Sequence, residues 1–247
     1  MTEYGIRHLK WFAGLGLAIV AWPALSATTA LDQQSFLHPE QRHENVGELV
    51  TQFVQKSHYN HVAVNDELSS RVLDLFIETL DRNRMYLLQG DIEYFDTYRY
   101  ELDDVVKSKP LDPVFEMYEV FQTRTRERLT YALSLLENEP DFSIDESYQF
   151  DRSEEPWAQS SAELDEIWRK RVKNDALNLA LEDEPWEKIQ EVLTKRYEGY
   201  LRRLNQTNND DVFERFMNTF VHTLDPHSSY LSPRNAEEYR MQMSLSY

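Results

Sequence analysis

Phe213-Glu214-Arg215-Phe216-Met217-Asn218-Thr219-Phe220-Val221-His222-Thr223-Leu224-Asp225-Pro226-His227-Ser228-Ser229-Tyr230-Leu231-Ser232-Pro233-Arg234-Asn235 reads as a helix stop followed by a helix start. Phe213, Phe216, Met217, Phe220, Val221 and Leu224 recur at spacings of three and four, the apolar stripe of an amphipathic helix. Pro226 ends that helix, because its ring removes a backbone donor and pushes Asp225 out of the α region. Ser232 is placed to cap a new helix, with Pro233 at the first helical position, where its missing N–H costs nothing. Two His, two Ser and an Asp also fall within eight residues of this stretch, His222 to Ser229, so a catalytic triad has to be considered. A triad is assembled from distant parts of a fold that converge on one hydrogen-bonded line, which sequence neighbours rarely manage. The chain also lacks the Gly-x-Ser-x-Gly turn that exposes a nucleophilic hydroxyl. No catalytic residue is assigned.

Upstream the same period repeats. Val46, Leu49, Val50, Phe53 and Val54 predict a first helix, and Asn65 caps a second with Leu68, Val72, Leu75, Phe76 and Leu80 on one face. Met85 to Leu88 is a short apolar piece, extended or pinning a turn to the core. Asp91 is expected to cap a helix with Ile92, Phe95, Tyr98, Leu102 and Val105 inward, closed by Pro110. Asp112 and Pro113 open the longest helix, with Val114, Met117, Phe121, Leu129, Ala132 and Leu136 inward; the Arg124, Arg126, Glu127 and Arg128 run that interrupts it reads as a solvated face. Ser160 with Glu163 predicts a capping box for a helix carrying Leu164, Ile167, Trp168, Val172 and Leu177. Pro185 starts another, carrying Ile189, Val192, Leu193, Tyr197, Tyr200, Leu201 and Leu204, and Asn208-Asn209 separates it from the quoted stretch. The expectation is all-α: a compact, non-solenoid bundle of about seven or eight helices joined by short loops, after an N-terminal signal peptide.

Composition agrees. The chain has 247 residues with only 6 Gly and 9 Pro, which suits long helices and few tight turns. It has no Cys, which excludes disulfides and thiolate metal sites. Formal net charge is −18. So acidic a surface repels phosphate, and no basic stripe offsets it, so nucleic acid is excluded as a partner.

Residues 1–30 read as a secretory signal: Arg7 and Lys10 form a positive start, Trp11 to Trp22 an apolar run, and Ala24-Leu25-Ser26-Ala27 a small-residue cleavage site, with cleavage near 26–30. The run is too short to span a bilayer comfortably, for which about twenty residues are needed. The alternative reading is a short membrane anchor; no stable insertion is expected. Residues 31–247 then form one helical domain.

His58 and His61 invite a metal reading, but two His without a third ligand fall short of the three that a catalytic zinc uses, so no metal and no cofactor is assigned. From Asn138 to Ser160 the pattern lapses, and Tyr148, Phe150 and Trp157 sit among acidic residues. They are either anchors for a partner or core side chains that keep a long loop packed, and packing is the preferred reading. Substrate-binding and partner-binding residues stay unassigned.

Asp151-Arg152-Ser153-Glu154-Glu155-Pro156-Trp157 and Ala162-Glu163-Leu164-Asp165-Glu166-Ile167-Trp168 resemble the N-terminal region of bacterial tail-specific protease, the C-terminal processing peptidase. So do Leu193-Thr194-Lys195-Arg196-Tyr197 and Arg202-Arg203-Leu204-Asn205-Gln206-Thr207-Asn208, and most specifically Asp225 to Asn235 with Met243-Ser244-Leu245-Ser246. The resemblance implies a periplasmic serine endopeptidase with a Ser–Lys dyad. It further implies a PDZ domain that captures nonpolar C-termini of protein substrates, and a helical-repeat outer-membrane lipoprotein as adaptor. The family's catalytic Ser and Lys and its PDZ domain lie beyond Tyr247, so none of those residues is carried over. The chain is expected to be an N-terminal helical domain, inactive alone, that supports substrate entry or adaptor docking. The alternative is a free-standing periplasmic helical binding or scaffold protein. The eight Lys, at 10, 56, 107, 109, 170, 173, 188 and 195, read as solvated ammonium groups rather than catalytic bases.

Overall fold

Helix α1 (Gln41–Ser57) is started by a histidine. The Glu40 N–H donates to Nδ1 of His43 at 3.1 Å, and the His43 N–H donates back to the Glu40 carbonyl at 2.8 Å. His43 thus fills the place that Glu or Gln takes in a capping box. Its ring is buried, with Nε2 2.8 Å from Asp210 Oδ1. The expected stripe of α1 is only half inward: Val54 is buried and Val46 and Val50 partly so, but Leu49 and Phe53 are 64% and 65% exposed. The face that packs inward instead runs through His43, Gly47, Thr51 and Val54. Thr51 Oγ1 donates to the Val106 carbonyl at 3.0 Å, and a Cβ built on Gly47 would lie 3.7 Å from the same oxygen. A small and polar face lets α1 approach that backbone closely, and this rotates Leu49 and Phe53 outward.

The computed structural model describes residues 37–57, 62–108 and 110–245. Among them are nine helices, no strand, and one isolated parallel bridge between Leu88 and Ala158. The remaining helices are α2 (Asp66–Asp81), α3 (Gln89–Asp96), α4 (Leu102–Lys107), α5 (Asp112–Leu135), α6 (Ser161–Ala180), α7 (Trp186–Gln206), α8 (Asn209–Leu224) and α9 (Pro233–Leu245). The all-α class agrees with the sequence reading, the connections are short apart from the 136–160 loop, and the helix count exceeds the expectation because one expected helix is two. Asp91 is not a cap. It sits in the first turn of α3, where its carboxylate accepts the Leu88 N–H at 2.9 Å. Ser69, fully buried on α2, splits the expected helix: its hydroxyl donates to the Arg99 carbonyl at 2.8 Å and accepts the Leu102 N–H at 2.9 Å, fixing a turn between α3 and α4.

At the end of α2 the buried Asp81 takes three backbone N–H groups, from Met85 at 2.8 Å, Tyr86 at 2.8 Å and Leu87 at 2.9 Å. One carboxylate therefore bends Met85–Leu88 into an extended piece that both pins the turn and pairs with Ala158. Burial pushes the Asp81 carboxyl above its ordinary range, against the downward pull of those three donors.

Two hydrophobic cores share α5. The first is built by α1 to α4, α8 and the early part of α5, through Val114, Phe115, Met117 and Tyr118. The second is built by α6, α7, Met85, the late part of α5 through Leu129 and Ala132, and Leu136 just after it. Between them lies the run expected to be a solvated face. It is a polar seam instead. Arg124 grips both oxygens of Asp91 at 2.9 and 3.0 Å, Gln122 donates to the Leu204 carbonyl at 3.1 Å, and the buried Arg128 pairs with Asp165. Glu127 alone of the four charged residues in that run is exposed.

α6 and α7 complete the second core through Leu164, Trp168, Val172, Ala176, Ile189, Leu193 and Tyr197; Leu177, expected inward, is 37% exposed, and Ala176 takes that face. Ser160 caps α6 as expected, accepting the Glu163 N–H at 3.3 Å, but the reciprocal half of the box is displaced: Glu163 takes the N–H of Gln159, not of Ser160. Every residue of the α8 stripe, Phe213 to Leu224, is buried in the first core. Asn208 and Asp211 form a full capping box at its start.

Candidate functional site

After α8 the chain turns back over its own helix. Asp225, extended as expected before Pro226, accepts the His227 N–H at 3.1 Å, and this donor, above the others, holds its carboxyl below the ordinary range. His227 Nδ1 lies 3.1 Å from the same carboxylate and the Ser228 hydroxyl 3.4 Å from its second oxygen. The His and the Ser each face Asp225 rather than one another, so no nucleophile–base line exists here, and the ring of His227 is 89% exposed. The strap is fastened further on. The Tyr230 ring sits edge-on to Phe213 with centroids 5.6 Å apart, and the Asn218 amide bonds both Tyr230 backbone groups, at 2.9 and 3.0 Å. Ser232 then caps α9, accepting the Asn235 N–H at 3.4 Å.

Between α1, the end of α8 and this strap runs an apolar groove of about 400 Å³, lined by Val50, Phe53, Val54, Val221, Leu224, Ser228, Ser229 and Tyr230. No charged side chain lines it, in a chain whose net charge is −18. Phe53 forms its exposed wall, with Leu49 one turn before it on the same helix. Periodicity placed both in the core; the clue to their exposure was Gly47 and Thr51, a tighter face one step around the helix.

The three aromatic candidates part company. Trp157 is half-buried against the first core, with the Arg84 guanidinium 5.2 Å over its ring. Tyr148 is half-buried, while Phe150, preferred as core, is 68% exposed with its ring edge-on to Tyr148. The Lys reading is corrected at one position. Lys173 is buried, donating to the Ile144 carbonyl at 2.9 Å and to Glu146 at 2.6 Å, because the loop before α6 folds over it. Arg169 joins the same carboxylate, and the two cations hold Glu146 down at about 2. At Lys107 burial pulls downward, but the bond to Asp103 at 2.6 Å and the nearby charges outweigh it and raise the group. Lys170, Lys188 and Lys195 each lie against a Glu. None of these five has the unpaired, desolvated setting of a lysine base. Lys10, Lys109, His58 and His61 lie outside the described residues, as does the expected signal peptide. Among the described residues no group of acidic and His side chains gathers as metal ligands, and no helix is long and apolar enough to cross a membrane.

Residues 50–234 match the family described as Tail specific protease N-terminal domain. The chain is also similar to the tail-specific protease of Haemophilus influenzae, 40% identical over 192 residues. That match covers 77% of this chain but 28% of the relative, so the chain spans under a third of the length of that curated protein.

Proposed function

Because the chain belongs to the tail-specific protease family through its N-terminal domain, we propose that it is the helical N-terminal part of a periplasmic serine endopeptidase. On this reading residues 1–30 direct export and are removed near 26–30, residues 31–247 form the domain, and the Ser–Lys chemistry belongs to the rest of the protease. The domain's own task is to hold a protein near the proteolytic core: a substrate with a nonpolar C-terminus on its way in, or a lipoprotein adaptor. The supporting observation is the uncharged groove beside Phe53 and Leu49, since apolar surface left open on an acidic protein marks an interaction site. Inactivity of the domain alone is supported by the paired settings of Lys107, Lys170, Lys173, Lys188 and Lys195 and by the turn of Ser228 toward Asp225.

The test has two parts. Purified residues 31–247 are incubated with a tagged, unfolded substrate ending in nonpolar residues, and titrated calorimetrically with the outer-membrane lipoprotein. No turnover is expected, together with a binding heat that Phe53→Ser and Leu49→Ser abolish. Cleavage sensitive to a serine-directed inhibitor sinks the first part. A binding heat untouched by both substitutions removes the groove from the second.

A further inference from the structure

α9 is a helix without a bed. Every described side chain on it is exposed except that of Ala236, which is intermediate, so its direction is set by the strap that leads into it and by its own first turn. The strap and the first turn of α9 are fastened to α8 at two points one turn apart. Asn218 is the inner one. Its amide oxygen accepts the Tyr230 N–H at 2.9 Å, and its amide nitrogen donates to the Tyr230 carbonyl at 3.0 Å and to the Glu214 carbonyl of its own helix at 3.0 Å. Both amide hydrogens and the oxygen are thus in use, and the side chain is half-buried. The outer point is Asn235, whose amide nitrogen donates to both oxygens of Glu214, at 2.8 and 2.7 Å.

We propose that Asn218, backed by the outer bond of Asn235 to Glu214, is a latch that fixes the direction in which α9 leaves the domain, and that opening it lets α9 and the strap residues before it swing as one piece about the turn at Pro226 to Ser229. The chemistry of the side chain makes the latch all-or-none. A carboxylate at this position keeps one acceptor in place, but turns its second oxygen on two carbonyl oxygens that need a donor. Asn218→Asp is therefore an opening substitution of nearly unchanged volume. The stripe of α8 that builds the first core, Phe213, Phe216, Met217 and Phe220, is untouched by it, so the body is expected to stay folded while α9 comes free. The latch does not depend on what the domain binds.

The chain has no Cys, so two can be introduced without background. Spin labels at Glu67→Cys on α2 and Glu237→Cys on α9, both exposed positions, report the distance between body and helix by pulsed dipolar spectroscopy. The expected result is one narrow distance in the parent and a distribution about twofold wider in Asn218→Asp, as for release of a hinge, with helical circular dichroism unchanged. A width in Asn218→Asp equal to the parent's overturns the proposal, and so does a parent distribution already as wide as the variant's. Should Asn218→Asp fail to fold, Asn235→Ala, which removes only the exposed outer bond, must still widen the distribution by a lesser amount; an unchanged width there overturns the latch as well.

Discussion

The imidazole of His43 lies flat on the ring of Phe213, with centroids 4.7 Å apart and planes 19° from parallel. One residue from the start of α1 and one from α8 are joined there, while Nδ1 and Nε2 are taken by the Glu40 N–H and by Asp210. Because a backbone N–H is the donor to Nδ1, the neutral ring carries its hydrogen on Nε2. His43→Ala removes a buried ring and leaves the Glu40 N–H without its acceptor, and is expected to cost about 2–3 kcal/mol in urea denaturation. Asp210→Asn, at a side chain 40% exposed, is expected to cost under about 1 kcal/mol. Equal losses from the two would mean that the hydrogen bond to Asp210, not the stacked ring, ties the helices.

Asp81 offers a sharper substitution. Asparagine in its place supplies one acceptor and turns an amide NH₂ toward backbone N–H groups that the second oxygen now serves, those of Tyr86 and Leu87. Asp81→Asn is expected to destabilise by about 2 kcal/mol although it removes a buried charge. The check is thermal unfolding with Asp81→Ala alongside. If Asn is as stable as the parent, the bend is held by packing alone.

Acid should open the Glu146 clasp only well below the ordinary carboxylate range. Its carboxyl is held from an ordinary 4.5 down to about 2 by Arg169 and Lys173. A depressed carboxylate contributes stability that is whole above its unfolded value and is lost as pH falls through its folded one. The advantage of the parent over Glu146→Gln should therefore be flat from neutral pH to about 4.5 and shrink between there and about 2. Denaturant midpoints of both proteins across that range test it; an advantage that vanishes above pH 5 would refute the assignment.

Trp168 is fully buried and its indole N–H donates to the Met85 carbonyl at 2.7 Å. Trp168→Phe keeps an aromatic ring but strands that carbonyl, and a loss of about 1–3 kcal/mol is expected. Calorimetric melting against Trp168→Ala, expected at about 3–5 kcal/mol, separates the hydrogen bond from the volume.

Where one face of a helix is apolar and the other charged, the sequence was enough. The α8 stripe, the Asn65 and Asn208 caps, the Pro226 stop and the Ser232 restart are local matters of spacing and backbone chemistry, and all stand in the structure. What periodicity could not supply were effects that reach across the chain. Ser69 breaks the helix after Asp96 from thirty residues away, and the charges at Arg124 and Arg128 look solvated until Asp91 and Asp165 are brought against them. The groove was hidden for a related reason. Leu49 and Phe53 have core spacing, and only the approach of α1 to the Val106 carbonyl through Gly47 and Thr51 decides which side of the helix faces in.

The sharing of α5 by two cores has a kinetic side. Its 24 residues run about 36 Å, and each end is held by a different set of neighbours, so the hairpin of α6 and α7 can detach while α2 and α8 keep their grip. Such partial openings set amide exchange in native proteins. Amides in the first turns of α5 should therefore exchange on the schedule of α8, and those in its last turns on the schedule of α7. A single continuous helix would carry two clocks, with the change from one to the other near Gln122.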